Sequence, residues 1–395
     1  MNYHVLFRFF LLVLIGIYYI SCSNPQSTKE PNSTKERNST IVNLDNAQSK
    51  DTLKLSQIFN KAQIVFLDSC SEALIGNIDQ MAMTDTYIFI LDKRVAKRIL
   101  MFNKQGKFIR TIGSSGSGKG EYFSPTDFAL DKKQKQIFVL DRQTRRIHQF
   151  NYTTGKHISS IDIPHMSNHL LYNSNTLYMD CPQKGKTHLI WEVSTNGKET
   201  SYLLSPQIHN KGWDSALANQ DGIFLSKYAN VPKLTHLFMD TVFCIENHKI
   251  YPYLVLQSKD MMAEKDLKNL NIDENPMQLI DLFQKDKYFN MQTYMEKENF
   301  IFFQMQRKSQ VYSFYYDKTT KQLNKYKLLY EDMLSDGMEF RLMGLRFGSS
   351  DDKGVCFYLS PSRVNILKLM KEKLQLNINT EENFNGAIFY YEYKK

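Results

Sequence analysis

Between Gly113 and Gly120 the chain reads GSSGSGKG, close to the loop in which backbone N–H groups and a lysine cradle nucleotide phosphates. That chemistry needs a Ser or Thr after the lysine to hold magnesium, and a helix whose N-terminus faces the phosphates. Here Gly120 takes the Ser/Thr position, and EYFSPTDFALD follows, with Pro125 and strand character. The glycines are therefore assigned to a tight turn, and no nucleotide is expected. A second group is Asp92, Asp141 and Asp180, each closing an apolar run. Acid–base catalysis would need two such carboxylates converging on one substrate. Recurrence at one position of a repeat instead keeps them apart, and the expected role is capping turns through backbone N–H groups. Cys70, Cys181, Cys244 and Cys356 lack metal-ligand spacing, so no metal site is signalled. Cys244 in TVFCIE and Cys356 in GVCFYL read as buried thiols within strands. No basic run interleaved with aromatics tracks a nucleic-acid backbone, although the formal net charge is +9.

These residues sit on a repeating frame. YIFILDKRVAKRILMFNKQGKFIRTI, from Tyr87 to Ile112, returns as IFVLDRQTRRIHQFNYTTGKHISSI, from Ile137 to Ile161. Asp92 falls on Asp141, Phe102 on Phe150 and Gly106 on Gly155. Each copy is an apolar strand ending in Asp, a charged turn, a second strand, a tight turn at Asn/Gly and a third strand. Repeats of roughly 40 to 50 residues built this way are blades of a β-propeller. Aromatic residues make up 13% of the chain, which suits the interfaces between stacked sheets. Weaker copies follow from Thr176, from Gly222 to Gln257, from Met291 to about Tyr330, and around RLMGLRFG and GVCFYLS. Residues 258–285 carry the helical spacing of an insertion, as does Pro361 to Leu374. QIVFLD (Gln63 to Asp68) and the terminal GAIFYYEY are expected to pair, so that both ends of the chain complete the sixth blade and no sheet edge is left at the seam.

The N-terminus has a different character. His4 and Arg8 precede FFLLVLIGIYYI, which ends at Ser21-Cys22. A run of about 12 apolar residues is too short to span a bilayer and fits the core of an export signal. Residues 1–21 are read as a lipoprotein signal peptide and Cys22 as the lipidated residue. Residues 22–55 are read as a polar tether that cannot bury enough surface to fold, and 56–395 as the propeller.

FLDSCSEALIGNIDQM (Phe66 to Met81), the two long repeats and their linker TIGSSGSGKGEYFSPTDFALD resemble the six-bladed β-propeller lipoproteins of gut-type Gram-negative bacteria, which are similar to NHL-repeat propellers. DTVFCIENHKIYPYLVL and NFNGAIFYYEYK carry the same resemblance. It implies the all-β six-bladed fold, lipidation and a cell-envelope address in the outer membrane, and it implies little chemistry. Ser23-Asn24-Pro25 lacks an acidic cluster of the surface-export kind, which favours the periplasmic side.

In such a ring the ligand site lies where inner strands converge on the central channel. The expected inner strands, Ile78 to Thr84, Pro125 to Asp131, Met166 to Leu171, Gly222 to Lys227, Met291 to Glu296 and Arg341 to Phe347, offer Asp79, Asp127, His169, Lys227, Glu296 and Arg341. Their mixed charge does not form a calcium cage. Trp213, in the polar loop HNKGWDSA, is a candidate to stack on a ligand. The reading is a lipid-anchored binding or scaffold module for a glycan, a peptide or an envelope protein, without cofactor, metal, nucleotide or nucleic acid. The alternative is a hydrolase or lyase working at the channel mouth.

Overall fold

The computed structural model describes residues 39–180, 188–198, 200–204, 223–228, 231–267, 270, 274–334, 337–374 and 384–394. The chain opens with β1 (Thr40–Asn43), β2 (Gln48–Lys54) and β3 (Phe59–Phe66). Blade 1 is β4 (Gln80–Met83), β5 (Tyr87–Asp92), β6 (Arg98–Asn103) and β7 (Phe108–Ile112). A small parallel pair, β8 (Ser114–Ser115) and β9 (Glu121–Tyr122), sits in the glycine-rich linker. Blade 2 is β10 (Pro125–Asp131), β11 (Gln136–Asp141), β12 (Arg146–Asn151) and β13 (His157–Asp162). Blade 3 is β14 (Leu170–Asn173), β15 (Thr176–Asp180), β16 (Ile190–Ser194) and β17 (Thr200–Leu203).

Blade 4 is β18 (Ile223–Tyr228), β19 (Val231–Thr235), β20 (Thr241–Glu246) and β21 (Lys249–Gln257). Two helices, α1 (Glu264–Leu267) and α2 (Met277–Gln284), separate it from blade 5, as the spacing predicts. Blade 5 is β22 (Tyr288–Glu296), β23 (Phe300–Arg307), β24 (Gln310–Asp317) and β25 (Gln322–Glu331), with the short β26 (Met338–Glu339) on its edge. Blade 6 is β27 (Arg346–Ser350), β28 (Gly354–Leu359) and β29 (Ala387–Tyr393), with α3 (Val364–Leu374) between the last two. Its outermost strand is β3, paired antiparallel with β29 from Ala387↔Phe66 to Tyr393↔Phe59. The fold is thus a six-bladed β-propeller closed by its two ends, as expected. Closure holds because β29 lies between two strands and carries Ile388, Phe389 and Tyr391, all fully buried, into the core.

Residues 40–54, expected in the tether, are part of the propeller. β1 adds in parallel to the outer edge of blade 4 (Thr40↔Leu254) and β2 to that of blade 5 (Gln48↔Asn324). The composition signal failed because an added edge strand needs few apolar side chains. The neighbouring edge satisfies its backbone, and Val42, Leu44 and Leu53 are its buried anchors in the core, with Ala47 packed against it. Two carboxylates fasten this belt to the ring. Asp45 accepts from Ser258 Oγ (2.7 Å) and Lys259 N (2.9 Å), and Asp332 accepts from Ser56 Oγ (2.6 Å) and Ser56 N (2.9 Å).

Because the strands of each blade alternate in direction, two kinds of loop alternate between two faces. The loops entering the inner strands and the turns between second and third strands emerge on one, the entry face. The turns leaving the inner strands, and those between third and fourth strands, emerge on the other, the turn face. Among the described residues no helix is long and apolar enough to cross a membrane.

Candidate channel site

The second strand of each of the first three blades ends on a buried aspartate that holds the entry-face loops. Asp92 accepts from Gly76 N (2.7 Å), Asn77 N (3.2 Å) and, within its own turn, Val95 N (2.9 Å). Asp141 accepts from Phe123 N, Ser124 N, Gln143 N and Thr144 N, at 2.7 to 3.3 Å. Asp180 accepts from Asn168 N and His169 N, both at 2.8 Å. These carboxylates cap turns, as expected. They also fix where each following inner strand begins, and this positions the channel wall.

Side chains on the inner strands then stitch neighbouring blades. Gln80 faces Leu91 in register and Asp127 faces Leu140, so the two occupy equivalent sites in blades 1 and 2. The Gln80 amide exchanges two 3.1 Å bonds with the backbone of Phe128. Asp127 accepts from Phe128 N (2.8 Å) and from Leu170 N of blade 3 (2.7 Å). Burial pushes the Asp127 carboxyl up to about 6, against the opposing influence of His169 and the two backbone N–H groups. Both carboxylate oxygens are engaged by backbone, so Asp127 acts first as an inter-blade tie.

The inner strands β27, β4, β10 and β14 enclose a channel cavity of about 340 Å³, lined by Asp79, Gln80, Asp127, His169, Ser349 and Asp351 among others. Strand β27 also approaches β18 and β22, so the open lumen lies on the side of blades 6, 1, 2 and 3. A second cavity of about 670 Å³ opens on the turn face among 130–134, 172–175 and 351–352. The two share Leu130, Lys132, Tyr172 and Asp351. At that shared constriction Lys132 Nζ of blade 2 meets Asp351 Oδ2 of blade 6 at 3.1 Å, spanning the inner strand of blade 1.

Of the six residues expected at the channel, three meet there. Asp79 accepts from Lys93 N (2.9 Å) and lies 3.4 Å from Arg94, while His169 sits with its Nδ1 3.4 Å from the buried Asp180. Glu296 does not line the cavity. It is buried between blades 4 and 5, bonded to Lys318 Nζ (2.6 Å), Lys233 Nζ (3.1 Å), Tyr294 Oη (2.7 Å) and Tyr253 Oη. Burial alone would raise the Glu296 carboxyl, but the Lys233 and Lys318 charges hold it below its ordinary value, and burial lowers Lys233 in turn. Arg341 is a correction. It lies on the 3-10 turn Phe340–Met343, exposed and paired with Glu339 at 3.0 Å, and the inner strand begins only at Arg346. Phe340 and Met343 belong to the blade 6 core, and Gly344 at φ +58° turns the chain before the strand, which removes Arg341 from the lumen. Lys227 falls on β18, whose side chains lie outside the described set, and Trp213, Cys181 and Cys22 lie outside the described residues.

Sequence reasoning missed Gln80, Lys132, Ser349 and Asp351. Lys132 and Asp351 were marked by the turn runs DKKQ and DDKG just beyond the inner strands, where a channel mouth must lie. Cys70 and Cys356 are free thiols, and Cys244 and Cys356 are buried in strands. Among the described residues no group of three or more His, Cys, Asp or Glu is placed to hold a metal ion.

Known structures of this shape include a Bacteroides fragilis protein described as exported, at TM-score 0.67 and 17% identity, covering 90% of this chain and 100% of the other. A Bacteroides vulgatus member of the DUF4221 family aligns at TM-score 0.50 and 12% identity, covering 85% of this chain and 97% of that one. At such identities the likeness extends to the fold alone. Among curated proteins none matches the sequence. The sequence model of the family described as a domain of unknown function, DUF4934, matches residues 39–392, and the chain belongs to that family.

Proposed function

We propose that this protein is an exported, lipid-anchored binding module of the cell envelope that admits a glycan or peptide strand into its channel from the turn face. The observation that supports this reading is the continuity of the two cavities through the Lys132–Asp351 constriction. Exposed Lys132, Lys133, Gln134, Asn175 and Asp352 surround that opening with donors and acceptors of both signs. A polar, uncharged or zwitterionic ligand meets such a rim better than a polyanion does. The hydrolase or lyase reading would draw its acid or base from Asp79, Asp127, His169 or Asp351; the two backbone N–H groups that Asp127 accepts favour a structural use of that residue.

The test is binding to glycan and peptide panels by the full chain and by a Lys132→Ala, Asp351→Asn double variant, in which the amide oxygen still accepts from Lys353 N and Gly354 N in the turn. An exposed ion pair contributes under about 1 kcal/mol to stability, so the variant should melt like the parent. It should bind its ligand about tenfold or more weakly. Undiminished binding would sink the channel reading, and conversion of the retained ligand into product would move the protein to the enzyme class. Lipid attachment at Cys22 and the NHL-like kinship rest on the sequence signals given above. Incorporation of labelled fatty acid that survives Cys22→Ser would remove the anchor from the proposal.

A further inference from the structure

The two faces of the ring differ in how they treat apolar side chains. Fourteen large apolar side chains are exposed among the described residues. Six lie within strands, and the other eight all lie on loops, turns and helices of the entry face; none lies on a described turn of the turn face. Blade 1 presents Leu74 in its entry loop and Val95, at 68% exposure, in its second turn. The next entry loops present Phe123 and Met166, and the helical insertions add Ile280 on α2 and Leu369 on α3. Apolar groups placed this way around one rim of a ring are costly in water and mark an interaction surface.

The charge around the first half of that rim is positive. Arg94, Lys97, Lys119, Arg142 and Arg145 are exposed on the entry loops and turns of blades 1 and 2. Acidic groups there are few or committed. Asp79 pairs with Arg94 (3.4 Å) and offsets that one charge, Glu72 bonds Ser71 (2.9 Å), Glu121 accepts from Gly118 N (2.8 Å), Asp162 pairs with Arg146 (2.8 Å), and Asp92 and Asp141 are the buried turn caps. Isolated apolar side chains ringed by arginine and lysine match the chemistry of a bilayer interface with anionic headgroups. The apolar groups enter the acyl boundary, and each basic residue near the surface adds attraction to the anionic headgroups.

We propose that the entry face is a membrane-docking face for an anionic lipid surface, which leaves the turn-face mouth open to the aqueous side. This goes beyond the channel reading and stands if that reading fails. The test compares tryptophan reporters in the full chain with Cys22→Ser, which removes the acylation site from the measurement. Phe123→Trp reports the entry face and Thr153→Trp, on an exposed turn of blade 2, reports the turn face. With vesicles containing phosphatidylglycerol and brominated lipid, the Phe123→Trp reporter should be quenched at least twofold more than the Thr153→Trp reporter, after subtracting the parent's signal. Half-molar salt or pure phosphatidylcholine should weaken the effect. Arg142→Gln with Arg145→Gln should lower vesicle partitioning about tenfold at unchanged melting temperature.

Equal quenching of the two reporters overturns the proposal, as does partitioning indifferent to the arginine substitutions. A change in emission of the Phe123→Trp variant that follows protein concentration without vesicles would reassign the face to contact between copies. A response to an acidic polysaccharide but not to vesicles would reassign it to an acidic glycan.

Discussion

In blades 1, 2 and 3 the second strand ends on an aspartate that accepts hydrogen bonds from the loop entering the same blade, 11 to 18 residues away. In blade 5 the equivalent residue is Arg307, paired with Tyr288 at the start of the inner strand. It donates to Asp286 (2.7 Å) and to Asp260, 47 residues back on the insertion (2.9 Å). The task is the same and the polarity is reversed. A short loop can offer its own N–H groups to a carboxylate, whereas a long helical insertion offers side chains and needs a guanidinium to gather them. The two halves of the ring differ in the same way elsewhere. Blades 1 to 3 are tied to one another by single side chains on backbone, Gln80 and Asp127. Blades 4 to 6 are tied by an N-terminal belt, a terminal strand pairing and a buried ionic cluster around Glu296.

If the second half depends on long-range partners, breaking one of them should cost most. Deleting residues 386–395 removes β29 from the middle of blade 6 and exposes the edges of both β28 and β3. The expected outcome is loss of cooperative unfolding of the whole ring, followed by circular dichroism on heating. A truncated chain that melts like the parent would mean the ring does not need its seam.

Next in size is Lys233→Ala. It leaves the buried Glu296 carboxylate with Lys318 as its remaining cation in the cluster, and breaking a buried pair costs about 3–5 kcal/mol. Lys233→Met with Glu296→Gln should recover most of that loss, because the Gln amide accepts from one tyrosine hydroxyl through its oxygen and donates to the other through its NH2 while the charge is gone. Urea unfolding of the single and double variants checks both expectations, and a double variant as weak as the single one would show that shape rather than charge binds blades 4 and 5.

The smallest effect belongs to the first half and depends on pH. Asp127 has its folded-state pKa raised from the ordinary 3.8 to about 6. The folded chain therefore holds this proton more tightly, and the group's contribution falls as pH rises through the window from about 4 to 6. The loss amounts to roughly 3 kcal/mol at most, and it is absent below that window. Asp127→Asn cannot ionise, so its urea midpoint should fall less steeply than the parent's between pH 4 and 7. Parallel slopes would mean that the carboxyl is not held in its protonated form.

The legibility of the sequence follows the same division. Blades 1 and 2 could be read because their strands, turns and aspartate locks lie within one 49-residue period, seen from Asp92 to Asp141, and short-range pairing writes itself into local patterns. The seam between Gln63–Asp68 and the C-terminus could be read because both segments were left without partners. The belt formed by 40–54 could not be read, since three buried side chains, Val42, Leu44 and Leu53, in a polar stretch look like a linker. Glu296 and Arg341 were misplaced for related reasons. Glu296 was assigned to the lumen although Lys233, 63 positions earlier, draws it into an interface. Arg341 was assigned to a strand that a left-handed Gly344 delays until Arg346.

Residue order was enough to specify radial four-stranded sheets, because alternating apolar residues and turn chemistry act over a few neighbours. Assembly of the ring settled which half holds an open lumen, which charges are buried as ties, and which rim carries the exposed apolar groups. Those properties depend on distances between residues far apart in the chain, and no local pattern encodes them.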